Sequence, residues 1–409
     1  MKITPVKGTN DYLPDEANLR EYMQNSILAT YKNNGFERIM TPALEDMENL
    51  NKSDGGDNLS LLFSILKRGE KLESALREEK YGELADLGLR YDLTVPLCRY
   101  FANNRHKLFS PFKCIQIDKA YRAERPQRGR EREFTQCDID ILGSKSKNCE
   151  TEIIHVTAKA LLDLGLENFK VKINDRRLLK DVLFSMGFEE NDISSVCISF
   201  DKLDKIGADG LREELTNKGF FQGSIDKLMT LLGVPVSLES LKNILGEKES
   251  IQSLEKIIDD VKYLSDGAYK IEFDISLVRG QGYYTGTVFE IESVDFKRSI
   301  AGGGRYDDLV GKFLNEHIPA VGFSIGFESI FTLLKENNFK VPGKKKKIAL
   351  LYDGSIANAY NTAKGFRGEY DAALFEMPKK LGKYIEALKK AGYHGVFICG
   401  KSEQIEVFE

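Results

Sequence analysis

At 409 residues the chain exceeds what one hydrophobic core supports, so two or three domains are expected. Its 42% hydrophobic and 30% charged residues are the composition of a soluble globular protein, and a net charge of −4 excludes a global positive field, leaving local basic patches for any nucleic-acid contact. No apolar run of about 18 residues occurs and residues 1–11 lack a leader pattern, so no membrane span and a cytoplasmic location are expected.

Apolar residues at helical spacing run from Leu19 to Asn33 and stop at Gly35. The strand-like FERIMTPALED follows, with Pro42 marking an edge or a bend. Next come a short strand over Leu87–Leu93 and a helix opening after Pro96. Phe112–Tyr121 and Phe134–Leu142 read as two strands joined by a long basic loop, and Cys149–Gly165 as a helix. Residues 178–265 have helical spacing without strand alternation, with Gly187, Gly207, Gly219 and Gly233 as stops, and form a helical insertion. Strand signals return in YKIEFDISLVRG, YYTGTVFEIES and SIAGGGRYDDLV, and AVGFSIGFESIFTLL reads as a buried strand feeding a helix. The Lys344–Lys347 run after Pro342 and Gly343 has a linker's composition. Beyond it the pattern β-α-β-α-β implies a small, mainly parallel sheet.

The chemistry is densest in YRAERPQRGREREFTQCDIDILG. Five arginines (Arg122, Arg125, Arg128, Arg130, Arg132) crowd the loop, and guanidinium forks suit phosphate oxygens. On the returning strand Gln136, Asp138 and Asp140 alternate, so they share one face. Asp138 reads as the more solvated of the two acids. The six cysteines are scattered without a C-x-x-C pair and read as reduced core residues, and the four histidines lie far apart. Protein-bound zinc is therefore not expected. The glycines around Gly282 and Gly303 fit no phosphate-loop pattern and point to close approach of backbone to a ligand.

The segments KGTNDYLP, GFERIMTPALE, LRYDLTVP, the arginine hairpin, LVRGQGYYTGTVFE and AGGGRYDDL resemble histidyl-tRNA synthetase, in order and across essentially the whole chain. The resemblance implies an α+β fold: a class II synthetase core of antiparallel sheet and flanking helices over 1–177 and 266–338, the helical insertion over 178–265, and a short anticodon-binding-like α/β domain over 344–409. It also implies histidine, ATP with its Mg²⁺, and tRNA(His) as substrates, and a homodimer.

Carried onto matching positions, the resemblance assigns Arg122 and Arg279 as the pair that clamps the α-phosphate and the substrate carboxylate. Glu124, Arg130 and Phe134 fall at the ATP positions, Phe134 stacking on adenine, and Gln127 lies near the tRNA acceptor end. Asp92, Thr94 and Gln136 surround the α-amino group, Asp140 and Tyr284 meet the imidazole nitrogens, and Tyr283 and Tyr306 wall the pocket.

Two departures stand out. Ser329 occupies the place where the third class II motif ends in an arginine that holds the γ-phosphate, a contact of the kind worth on the order of 1.5–3 kcal/mol. The C-terminal domain is also short. Both keep open a synthetase-like paralogue, either a regulatory subunit of the first enzyme of histidine biosynthesis or a histidine- or tRNA-binding sensor.

Overall fold

Fifteen strands gather into three sheets in the structure, a computed structural model that describes residues 3–52, 60–278 and 282–408. In chain order they are β1 (Glu37–Arg38), β2 (Leu44–Asp46), β3 (Ser64–Leu66), β4 (Ala85–Leu89), β5 (Phe112–Tyr121), β6 (Glu133–Leu142), β7 (Phe169–Asp175), β8 (Lys270–Phe273), β9 (Thr287–Ser293), β10 (Arg298–Arg305), β11 (Ala320–Gly326), β12 (Lys346–Tyr352), β13 (Tyr370–Glu376), β14 (Gly395–Ile398) and β15 (Glu406–Val407). The chain divides into two compact units, residues 1–339 and 340–409.

The first unit is built on an eight-stranded sheet in the order β1-β5-β6-β11-β10-β9-β7-β8, antiparallel except at its two outer pairs. Its axis is the β5–β6 hairpin, paired without interruption from Phe112↔Leu142 to Tyr121↔Glu133. One face of β6 carries Cys137, Ile139 and Ile141, all fully buried. The helices Pro14–Asn33, Asn148–Asp163 and Phe327–Glu336 pack near that hairpin and its neighbours, with Met23, Ile27, Ile153, Ile154 and Ile330 at zero exposure. Each such side chain contributes roughly 1.5–3 kcal/mol on burial. The other face of β6 is the one that bears Gln136, Asp138 and Asp140.

Several boundaries differ from the sequence expectation. The first helix starts at Pro14, because proline suits the first helical position and Glu16 reaches back to accept from Leu13 N at 2.9 Å. The segment FERIMTPALED splits into β1 in the large sheet and β2 in a small β2-β4-β3 sheet. Arg90, 1% exposed, causes the break: its guanidinium donates to the Thr41 and Pro42 carbonyls and to Lys119 O, and pairs with Asp118 at 2.9 Å. The strand placed at Leu87–Leu93 therefore ends at Leu89, and its helix opens at Thr94, with Pro96 inside a first turn that needs no N–H there. Among the described residues of YKIEFDISLVRG the one strand is β8, since Asn174 Nδ2 donates to Ile275 O and Leu277 O and so binds the next residues as a turn.

Residues 178–265 are helical throughout their regular elements, and the last helix, Glu249–Ser265, packs on Asn148–Asp163 and β8 within the first unit. Gly187 ends its helix in the left-handed region at φ 95°, and Gly207 breaks another at φ 69°. In the second unit β13, β12 and β14 are parallel, and β15 adds an antiparallel edge from the chain's last residues.

Candidate active site

Strand register builds a hollow on the polar face of β6. Asp140 lies opposite Gly322, Asp138 opposite Ser324, and Gln136 opposite Gly326; across β11, Gly322 then meets Gly304 and Ser324 meets Gly302. Long polar side chains on one strand face glycine and serine on the next two, so the sheet surface is concave. The resulting cavity of about 210 Å³ is lined by Thr94, Arg122, Phe134, Gln136, Asp138, Asp140, Tyr283, Tyr284 and Tyr306, among others. Gly322 cannot be larger, since a Cβ there would stand 1.9 Å from Asp140 Oδ1. At Gly304 a Cβ would press on the Tyr284 ring at 2.9 Å.

The floor is acidic and buried. Asp138 and Asp140 are 4% and 3% exposed, which corrects the reading of Asp138 as solvated: β11 and the tyrosine wall cover the strand face. Burial pushes the Asp140 carboxyl up to about 7, partly offset by a 2.6 Å hydrogen bond that Tyr306 donates to Oδ1. Asp138 is also raised well above the ordinary carboxylate range, first by burial and then by Asp140 beside it. Asp92 rises to about 6 by burial, while its Oδ1 accepts from Val95 N at 3.1 Å and Arg122 opposes the shift. Asp92 Oδ2, Asp138 Oδ1 and Gln136 Oε1 are buried acceptors with no hydrogen-bond partner. Unmet buried acceptors are costly, and a ligand carrying N–H donors or positive charge would satisfy them.

A second hollow of about 350 Å³ shares Arg122, Phe134, Thr135 and Gly326 with the first and adds Glu124, Gly129, Arg130, Glu131, Glu328 and Ser329. Arg122 stands at the junction. Its Nε donates to Tyr91 O at 2.9 Å, and its guanidinium lies 5.1 Å from the Phe134 ring centroid. Buried Arg90 orients it indirectly, because Tyr121 N donates to Arg90 O and so ties the strand to the Arg90–Tyr91 backbone. Arg130 reaches toward Glu124 at 3.9 Å on the loop side. Glu328 is held at the back by Arg20 (2.6 Å) and by Thr135 N (2.9 Å).

The two hollows thus gather Thr94, Arg122, Glu124, Arg130, Phe134, Gln136, Asp140, Tyr283, Tyr284 and Tyr306. Asp92 stands behind the lining, acting through its charge on Arg122 and Asp140. Gln127 does not join them; it sits exposed at the loop tip, exchanging backbone hydrogen bonds with Arg130 at 3.0 and 2.8 Å. Arg279 lies outside the described residues. Asp274, its alternative partner from sequence, is paired with Lys172 at 3.0 Å. Sequence reading missed Arg90, Arg20 and Glu328. A buried arginine or ion pair has no local pattern; only Arg90's place within LRYDLTVP pointed its way. It also overlooked Gly322 and Gly326 of β11, whereas it reads the β10 glycines around Gly303 as a close approach of backbone to a ligand. Among the described residues no group of three or more metal-ligating side chains occurs, and no helix is long and apolar enough to cross a membrane.

The chain is similar to known proteins over most of its length. A family model described as Histidyl-tRNA synthetase matches residues 8–330. The chain is 41% identical over 372 residues to the histidine–tRNA ligase of Leifsonia xyli subsp. xyli, covering 87% of this chain and 84% of that protein. It is 32% identical over 420 residues to that of Christiangramia forsetii, covering 97% and 92%. Its fold superposes on the crystal structure of histidyl-tRNA synthetase from Nostoc sp. PCC 7120 with a TM-score of 0.80 at 26% identity, over 97% and 91% of the two chains.

Proposed function

The chain belongs to the histidyl-tRNA synthetase family, and from that premise we propose that it is a histidine–tRNA ligase whose two hollows hold histidine and ATP side by side. The observation that carries this reading is Arg122, placed where an acid-floored hollow meets one walled by the arginine loop. Histidine enters the inner hollow with its imidazole between Tyr284 and Asp140, which Tyr306 holds, and its ammonium toward Asp92, Thr94 and Gln136. A substrate without the ring N–H would leave Asp140 unmet, which is a strong basis for rejection. Tyr283 and Tyr284, 4.9 Å apart and edge to face, close the wall.

ATP, with Mg²⁺ as part of the substrate, occupies the outer hollow: adenine against Phe134, outer phosphates toward Arg130, and Glu124 among the residues lining the site. A carboxylate oxygen of histidine attacks the α-phosphorus, the bond to the β-phosphate oxygen breaks, and pyrophosphate leaves. Charge accumulates on the α-phosphate oxygens, where Arg122 and Arg279 are assigned, so fixed cations there lower the barrier. A hydroxyl of the terminal adenosine of tRNA(His) then attacks the acyl carbon and AMP departs, with Gln127 on the loop tip facing the acceptor end. We assign residues 1–177 and 266–338 to catalysis, 178–265 to the helical insertion and 344–409 to anticodon binding, in a cytoplasmic homodimer. Met40, Leu44 and Leu66, exposed on and beside the small sheet, support a dimer face.

Histidine-dependent exchange of pyrophosphate into ATP tests the reading. Exchange with histidine alone among amino acids is expected, from a species that sediments as a dimer. Histidine binding without exchange would instead favour the sensor that Ser329 suggests, and an active monomer would remove the dimer.

A further inference from the structure

The outer hollow is short of positive charge for a triphosphate. Of the cations in it, Arg130 leans toward Glu124 and Arg122 belongs to the junction, while Glu124, Glu131 and Glu328 add negative charge. Arg20 neutralises Glu328 from behind and is spent on that contact. On the helix side of the hollow stands Ser329, a neutral side chain in the first turn of Phe327–Glu336.

One further guanidinium is present at this rim. Arg298 opens β10, next to Ser299 of the inner lining, and its Nη1 lies 3.0 Å from the point where a Cβ on Gly129 would stand. Ser329 Oγ lies 3.2 Å from the same point, so the arginine and the serine both adjoin the loop glycine. Arg298 donates to Arg128 O at 3.0 Å and lies 5.2 Å from the Phe296 ring centroid. Among the described residues its recorded contacts are the Arg128 carbonyl and the Phe296 ring. One hydrogen bond leaves its planar fork with donors to spare.

We infer that Arg298 binds the outer phosphates of ATP, supplying from the start of β10 the cation that position 329 does not. The inference rests on the ligase reading. The small Ser329 side chain leaves the space through which Arg298 reaches, and the positive end of the Phe327–Glu336 helix adds to the same field.

The test separates phosphate binding from support of the loop. In pyrophosphate exchange Arg298→Ala should raise KM for ATP by roughly 10- to 100-fold, the loss of a charge-assisted contact. It should leave KM for histidine, and binding of a non-reactive histidyl-adenylate analogue that lacks the outer phosphates, unchanged. Adding Ser329→Arg to Arg298→Ala should recover ATP affinity. Equal weakening of ATP and the analogue would overturn the inference by showing that Arg298 only props the loop, and an unchanged KM for ATP would overturn it outright. Absence of exchange in the unaltered protein would sink the ligase reading itself, and that result is read before any variant is compared.

Discussion

Asp140 combines three properties that rarely coexist without a purpose: full burial, a carboxyl raised to about 7, and one strong donor in Tyr306. A carboxylate whose pKa is raised by folding favours the folded state while protonated. That contribution is fully present below its ordinary value near 4 and is lost as pH rises through about 7. Asp140→Asn keeps an acceptor for Tyr306 but never charges. Its melting temperature should therefore exceed that of the unaltered protein by a margin that grows from pH 5 to pH 8, reaching on the order of a few degrees. The same variant should lose histidine affinity, because a neutral amide cannot compensate the ring N–H as a carboxylate does. Thermal melts across that pH range check the first part, and a pH-independent offset would contradict it. Asp92, raised to about 6, belongs to the same balance: an incoming ammonium favours its ionised form.

At the scale of elements, the hollow is a product of strand pairing. Asp140, Gly322 and Gly304 form one row across β6, β11 and β10, and the two glycines keep the row low enough for a ligand to lie on it. Gly322→Ala puts a methyl 1.9 Å from Asp140 Oδ1, so the carboxylate must turn and its bond from Tyr306 breaks. The obstructed atom is a side-chain end, so the sheet itself should persist. Steady-state exchange should show KM for histidine raised by about 10-fold or more with KM for ATP little changed; equal effects on both would mean that the sheet has moved. The hairpin, the alternation of Gln136 to Asp140 and the strand feeding Phe327–Glu336 were legible in sequence because each is a local pattern of period 2 or a turn signal. Burial of Asp138 was not legible, since what covers it comes from β11 and Tyr306, more than 150 residues away. The break at Pro42 was visible as proline, whereas its cause, Arg90 donating back to Thr41 and Pro42, is a tertiary contact with no local trace.

The whole molecule divides its charge unevenly. Residues 340–409 carry twelve lysines and one arginine against eight acids, although the full chain is at −4, so the first 339 residues are more negative than the whole. The basic unit has its own core: β12 is buried on both faces by Ile348, Ala349, Leu350 and Leu351, between the helices Ile356–Phe366 and Leu381–Lys390. On the proposed function, this basic unit is the one expected to attract a polyanion such as tRNA. Ending the chain at Phe339 should leave pyrophosphate exchange, with its KM for histidine and ATP, as it was, because both hollows are built from residues of the first unit. Charging of tRNA should fall by roughly 10-fold or more in kcat/KM, and the dependence of log KM for tRNA on log salt should flatten, since each lost phosphate contact removes a released counterion. Aminoacylation measured over a salt series in both chains decides it: an unchanged slope would place the tRNA contacts on the arginine loop and the first unit alone, and the C-terminal sheet would have to serve something other than the substrate.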